Sequence, residues 1–339
     1  MRRHNYLLYL VLLVLLCSLL PTLTVYGAAL PTNAAVYNTG LLPIFSKEDS
    51  IGDEKGPGTY TYPHSPVFYP RKGLFDLTKF EILHDSENYY FQLTMGAMSN
   101  PWGAPEGFSH QRIAIYIDSI PNQGRTEAFR EGAFVDFDPK HGWEYLVDIK
   151  GWNNSRVHYY TDERDSLGKK GLQVKLLPGT NAIQAKVPIK LLDNHPKTWG
   201  VYVLVGAMDG MGPDNFRQVL KTAASWQFGG GTDNFYDPNI LDLLAPDEPE
   251  HSQSAMLASY NIAQSKLAVI YPVLLTNVPP GSLRWRSFVA MVEAPINAVL
   301  TTYPWAKYYP VYISAGVAIL LIILLLTLNV YRYTHRKST

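Results

Sequence analysis

Two acidic stretches broken by glycine offer sets of hard oxygen ligands. In the first, Asp49, Asp53 and Glu54 precede Gly56 and Gly58, whose backbone freedom lets carbonyls turn toward one centre. In the second, Asp233, Asn234, Asp237, Asn239 and Asp242 follow three consecutive glycines. Calcium accepts about six to eight oxygens in flexible geometry, so Asp49, Asp53, Glu54, Asp233 and Asp237 are the expected metal ligands and calcium the expected cofactor. Neither stretch has EF-hand spacing. The competing reading is that these side chains close turns by bonding their own backbone.

A second group is aromatic. Trp102, Trp143, Trp152 and Trp226, with Phe108, Tyr159 and Tyr160, fall at strand ends or among turn residues. A pyranose ring presents a flat C–H face that stacks on an indole, while Asp, Asn and Arg bond its hydroxyls. Aromatic side chains offer that area at little conformational-entropy cost. Trp102, Trp226, Trp143, Trp152 and Phe108 are therefore the expected carbohydrate-binding positions. Trp102, set between Asn100-Pro101 and Gly103-Ala104-Pro105, reads most clearly as a loop residue, and Trp226 follows. The alternative is that most of these rings fill the core of an all-β domain.

Catalytic patterns are missing from the sequence. The nine histidines are scattered with no His-Glu-x-x-His, and there is no Gly-x-Ser-x-Gly, phosphate loop or dinucleotide fingerprint. Glycoside hydrolysis needs two carboxylates facing one bond. Nothing in the spacing of Asp118, Asp136, Asp138 and Asp148 selects a pair. The reading is a protein that is not an enzyme.

The elements that must position these residues are strands. Runs rich in β-branched and aromatic residues recur at 79–83, 89–95, 112–118, 143–149, 157–160, 172–177, 182–189 and 199–207. Turn residues separate them, as in Asp85-Ser86-Glu87-Asn88 and Pro121-Asn122-Gln123-Gly124. Many short strands at this spacing predict an all-β fold, an antiparallel β-sandwich. After about residue 261 the chain turns apolar, and Trp285, Phe288, Val289, Val292, Ile296 and Val299 follow helical spacing.

The ends set the compartment. Arg2 and Arg3 precede an apolar run over 6–20 and the small cluster Gly27-Ala28-Ala29, so 1–28 reads as a secretory signal peptide. Residues 311–330 are largely apolar and uncharged, enough for one C-terminal transmembrane helix, and Arg332, Arg336 and Lys337 place 331–339 in the cytoplasm. Between them the reading assigns a linker at 29–47, a binding module at 48–262 and a juxtamembrane apolar segment at 263–310. That segment is also the expected surface for a protein partner. The main domain is thus expected to be extracellular, on a single-pass anchor in the cell membrane. Five of the 29 basic residues lie in the termini, leaving 24 against 29 acidic ones, so nothing suggests a nucleic-acid partner. The single cysteine, Cys17, lies in the signal, and the external part has no disulfide.

Seven irregular blocks occur in order between residues 49 and 262. They are Asp49 to Pro63, Phe75 to Glu81, Asn100-Pro101-Trp102, Ile115 to Asp118, Gly206 to Asn215, Trp226 to Asn234 and Asp237 to Asp242. This set resembles the C-terminal, S-layer-homology-like binding module of glucodextranase. The resemblance implies a β-sandwich similar to DOMON domains and carbohydrate-binding modules, and binding of polysaccharide or surface glycan at the cell surface. One departure stands out: Phe216 follows Gly212-Pro213-Asp214-Asn215 where the family suggests tryptophan. The enzyme's catalytic domain has no counterpart here. Two other functions stay open. One is an interaction subunit of a membrane complex for sugar uptake or surface hydrolysis. The other, borrowed from DOMON relatives, is a haem carrier using Met95, Met98, His84 or His110.

Overall fold

The computed structural model describes residues 40–161, 171–192 and 196–275. Among the described residues thirteen strands occur in chain order. The first seven are β1 (Leu42–Glu48), β2 (Leu77–His84), β3 (Asn88–Met95), β4 (Gln111–Asp118), β5 (Val135–Phe137), β6 (Tyr145–Ile149) and β7 (Arg156–Tyr159). Then come β8 (Gln173–Leu176), β9 (Ala182–Pro188), β10 (Gly200–Ala207), β11 (Asp242–Leu243), β12 (Ala268–Ile270) and β13 (Val273–Leu274). Among the described residues, α-helix is confined to the single turn Gln253–Leu257. The expected all-β class is what the described residues adopt.

Two antiparallel sheets face each other. One has the order β1-β2-β3-β9-β8, and the other β11-β10-β4-β6-β7, with β13 also pairing β10. Alternation in the sequence dictates the packing. On β4, Ile113, Ile115 and Ile117 point into the inter-sheet core with Phe80, Phe91, Val203 and Trp199. Each such side chain contributes about 1.5–3 kcal/mol through burial. The β2–β3 turn is closed by Asp85, whose Oδ1 accepts from the amides of Glu87 at 2.8 Å and Asn88 at 2.7 Å.

The second sheet is buried on both faces. Ala114 and Tyr116, alternating with the isoleucines, pack outward against Phe137, Trp143, Tyr202 and Leu243. This second core lies beneath loops and the small parallel pair β5–β12. It explains why every residue of β4 and β10 is buried, where a plain sandwich would leave alternate positions wet.

The body is wider than its expected bounds of 48–262. β1 falls in the stretch read as a linker at 29–47, yet it pairs with β2 along its length through a bulge between Pro43 and Phe45. β12 and β13 fall in the stretch read as juxtamembrane, yet they pair with β5 and β10. A strand with few alternating apolar residues, or one of two or three residues, leaves no periodic mark. The expected signal peptide, the helical stripe from Trp285, the transmembrane helix at 311–330 and the basic tail lie outside the described residues. Among the described residues no helix is long and apolar enough to cross a membrane.

Candidate glycan-binding face and carboxylate cluster

Phe68 ends the 3-10 turn Pro66–Phe68 and is fully buried. Both Trp102 and Trp226 lean an edge on it, with ring centroids 6.4 and 6.1 Å away. Their own centroids lie 6.3 Å apart at an interplanar angle of 31°. With the inner edges held, the rings remain 38% and 46% exposed. His110 backs the shelf, 4.8 Å from Trp102, with its Nε2 at 3.0 Å from the Val67 carbonyl. Burial pushes its imidazole down to about 4, so it is neutral at physiological pH.

The loops that carry the two indoles are tied down locally. Asn100 closes the Trp102 turn by accepting from the Ala104 amide at 2.9 Å and donating to the Ala104 carbonyl at 2.8 Å. Arg217 donates to the Trp226 carbonyl at 2.9 Å and to the Met208 carbonyl at 3.1 Å, and its guanidinium lies over Phe68. Beside Trp102 opens a cleft of about 440 Å³, lined by Ser109, Trp152, Asn154, Asp209 and Arg217 among others. Small-molecule sites run to roughly 300–1,000 Å³. Trp152 is half-buried in a left-handed backbone conformation (φ 58°), and its amide donates to Glu106 at 2.9 Å.

The loop bearing Asp209 is fastened from inside. Arg112 on β4 is fully buried; it sits against Asp148 at 2.5 Å and donates to Asp214 Oδ2 at 2.7 Å, while Phe216 covers its guanidinium. Lys150 reaches Asp148 at 2.9 Å and Asn215 at 3.1 Å. Asp214 and Asn215 both take positive φ, the conformation for which Asp and Asn are tolerated. The Gly-Pro-Asp-Asn block is thus a clamp between the second sheet and the cleft wall.

Two expected sugar platforms are corrected. Trp143 is fully buried in the second core, 5.0 Å from Tyr116, and its indole N–H donates to the Glu127 carbonyl at 2.9 Å. Phe108 is fully buried in the inter-sheet core. Neither can meet a ligand. Tyr159 and Tyr160 pack on each other, and Tyr159 also on Tyr145 on the neighbouring strand. Arg217, Asp209 and Ser109 were not among the expected positions. Asp209 sits inside a quoted block, but Arg217 and Ser109 carry no local pattern that marks them.

The acidic stretches divide differently than expected. Ligand oxygens of Asp49, Asp53 and Asp242 lie within 4.8 Å of one another. Asp49 and Asp53 border a cleft of about 400 Å³ with Gly52, Lys55 and Ser254. Gly52, at φ 87°, turns the chain between the first two carboxylates, and its amide donates to Asp76 at 2.8 Å. Asp242 is aimed by the amides of Leu77 at 2.6 Å and Leu243 at 2.7 Å. Asp49 Oδ2 and Asp53 Oδ1 are buried with no hydrogen-bond partner among the described residues. Burial first, and the crowd of acids second, push Asp49 up to about 8 and Asp242 well above the usual carboxylate range. Burial likewise takes Asp53 to about 6.

Glu54, Asp233 and Asp237 are corrected as metal ligands. Glu54 turns the opposite way from Asp53 and accepts from Tyr62 Oη at 2.5 Å, from the Phe75 amide at 2.9 Å and from the Gly73 amide. Asp233 accepts from the Lys221 amide at 3.1 Å. Asp237 accepts from the Thr232 amide at 2.8 Å and hydroxyl at 2.5 Å. Asp237 closes a local turn, as the competing reading held, while Glu54 and Asp233 brace segments more distant in the chain. Of the expected haem ligands, His84 and Met95 sit at opposite ends of the β2–β3 hairpin, and Met95 is buried in the inter-sheet core.

Comparison with known proteins places this geometry in a family. No curated protein matches the chain. Among solved structures, a carbohydrate-binding module of family 9 from Caldicellulosiruptor kristjanssonii in complex with cellotriose is similar at 13% identity with a TM-score of 0.22. The alignment covers 39% of this chain and 58% of that one, so the chain spans little more than half of its neighbour's length. The family model for the C-terminal, SLH-like binding module of glucodextranase matches residues 44–272, from β1 to the residue before β13. The chain belongs to that family.

Proposed function

We propose that the chain is a non-catalytic module that binds neutral polysaccharide or surface glycan on the face formed by Trp102 and Trp226. The observation that carries this is the exposure of two adjacent indoles on a buried aromatic base, beside a cleft with polar groups. Such rings cover a sugar's apolar face without losing side-chain freedom on binding. The secretory pattern at the N-terminus and the apolar run at 311–330 support a tethered, external position for it. Full chain in detergent micelles is tested for retention on insoluble α-glucan, β-glucan and cell-wall glycan. Retention that disappears in a Trp102→Ala/Trp226→Ala variant supports the reading. Absence of retention, or equal retention by the variant, rejects it.

We also infer that Asp49, Asp53 and Asp242 hold a calcium ion, with Asp242 in place of the expected Glu54. The orphaned, buried oxygens of Asp49 and Asp53, with Asp242 beside them, suit a hard divalent cation, and backbone carbonyls and water would complete its shell. In a domain without disulfides, such an ion would join the loop after β1 to β11. Calcium titration followed by calorimetry tests this, with Asp242→Asn as the variant expected to lose the heat of binding.

A further inference from the structure

Stacking alone is sequence-tolerant, so selectivity must come from the polar wall of the cleft. Arg217 Nη1 lies 3.1 Å from Asp209 Oδ2, with the two side chains 11% and 24% exposed. Asp209 Oδ1 accepts from the Met211 amide at 3.0 Å. A carboxylate has about four lone-pair sites, so accepting capacity remains. Among the described residues Arg217 Nε is buried without a partner, and so is the hydroxyl of Ser109, a fully buried residue lining the same cleft. The wall therefore combines free acceptor capacity with two donors that nothing among the described residues satisfies.

We propose that Asp209 and Arg217 read a pair of adjacent hydroxyls on a neutral pyranose and reject acidic sugars. One hydroxyl donates to the Asp209 carboxylate and its neighbour accepts from Arg217, with Ser109 within the same wall. This rests on the glycan-binding reading above. The charge logic is specific: the arginine is permanently cationic, but Asp209 already neutralises it. A uronate brought to this wall meets a cation whose charge is used and an anion that repels it. Removing the charge of Asp209 frees the arginine.

Binding to full chain in micelles is measured by titration calorimetry with a maltooligosaccharide, a cello-oligosaccharide and an oligogalacturonate. Wild type is expected to bind one of the neutral sugars about tenfold more tightly than the uronate. In Asp209→Asn, neutral-sugar affinity is expected to fall about fivefold while uronate affinity rises about fivefold, the rise shrinking in salt. A purely structural role for Asp209 would weaken both ligands, so movement in opposite directions is the diagnostic result. Neutral binding that is lost in Trp226→Ala but keeps its selectivity in Asp209→Asn overturns this proposal and leaves the glycan reading intact. A wild-type chain that binds none of the three oligosaccharides removes both.

Discussion

Arg112 and Asp214 meet inside the protein, Nη2 to Oδ2 at 2.7 Å, with neither side chain more than 4% exposed. The contact links β4 to the loop that carries Asp209. Arg112 also serves Asp148, so its removal takes the nearest cation from two buried carboxylates and leaves Asp148 to Lys150 and His158. Arg112→Met is expected to lower stability by about 3–5 kcal/mol, read as a shift in the denaturation midpoint. Arg112→Lys is expected to recover only part of this, because one ammonium cannot reproduce the planar fork.

The carboxylates give stability two opposite dependences on pH. Burial would raise Asp148, but Arg112, His158 and Lys150 outweigh it and hold it at about 2. That stabilisation is present above the unfolded value of about 3.9 and is lost as pH falls toward 2. Asp49 and Asp53 behave in reverse. Raised to about 8 and about 6, they favour the folded state at low pH and lose that contribution as pH rises through those values. Without divalent cations the melting temperature should therefore decline from about pH 5 to pH 8. Calcium should restore it at pH 8, have little effect at pH 5 and release protons on binding. A melting temperature at pH 8 that ignores calcium would remove the ion from this site.

Trp102→Ala and Trp226→Ala should each weaken glycan binding by about tenfold, equivalent to about 1.4 kcal/mol, with little change in melting temperature. Partly exposed rings contribute little to the core. Unchanged affinity in both variants would shift the binding face elsewhere.

Trp143→Ala should do the opposite. It empties a fully buried site in the second core and strands the Glu127 carbonyl, for a loss of about 3–5 kcal/mol. Where the folded fraction is measured separately, glycan affinity per folded molecule should be unaltered.

Much of the sandwich was legible because its long strands alternate. The runs at 89–95, 112–118 and 199–207 coincide with β3, β4 and β10 to within a residue. The second core was hidden because Ala114, Tyr116, Tyr202 and Leu204 look like the outward face of an ordinary sheet. Trp143 misled for a local reason: His141-Gly142 before it reads as a strand end open to water, while its cover comes from Phe129 and Tyr116, far apart in the chain. Glu54 misled because neighbours in one loop can face opposite ways. Asp242 meets Asp49 and Asp53 through contacts distant in the chain, the Leu77 amide on Asp242 and the Gly56 amide on the Leu241 carbonyl, a tertiary relation that spacing does not encode.

The aromatic shelf also has a spectroscopic consequence. Indoles 6.3 Å apart and inclined by 31° share their electronic excitations, so Trp102 and Trp226 should produce paired circular-dichroism bands of opposite sign in the ultraviolet. A saccharide laid across both rings changes the environment of each chromophore together. The protein thereby carries a label-free optical gauge of its own occupancy.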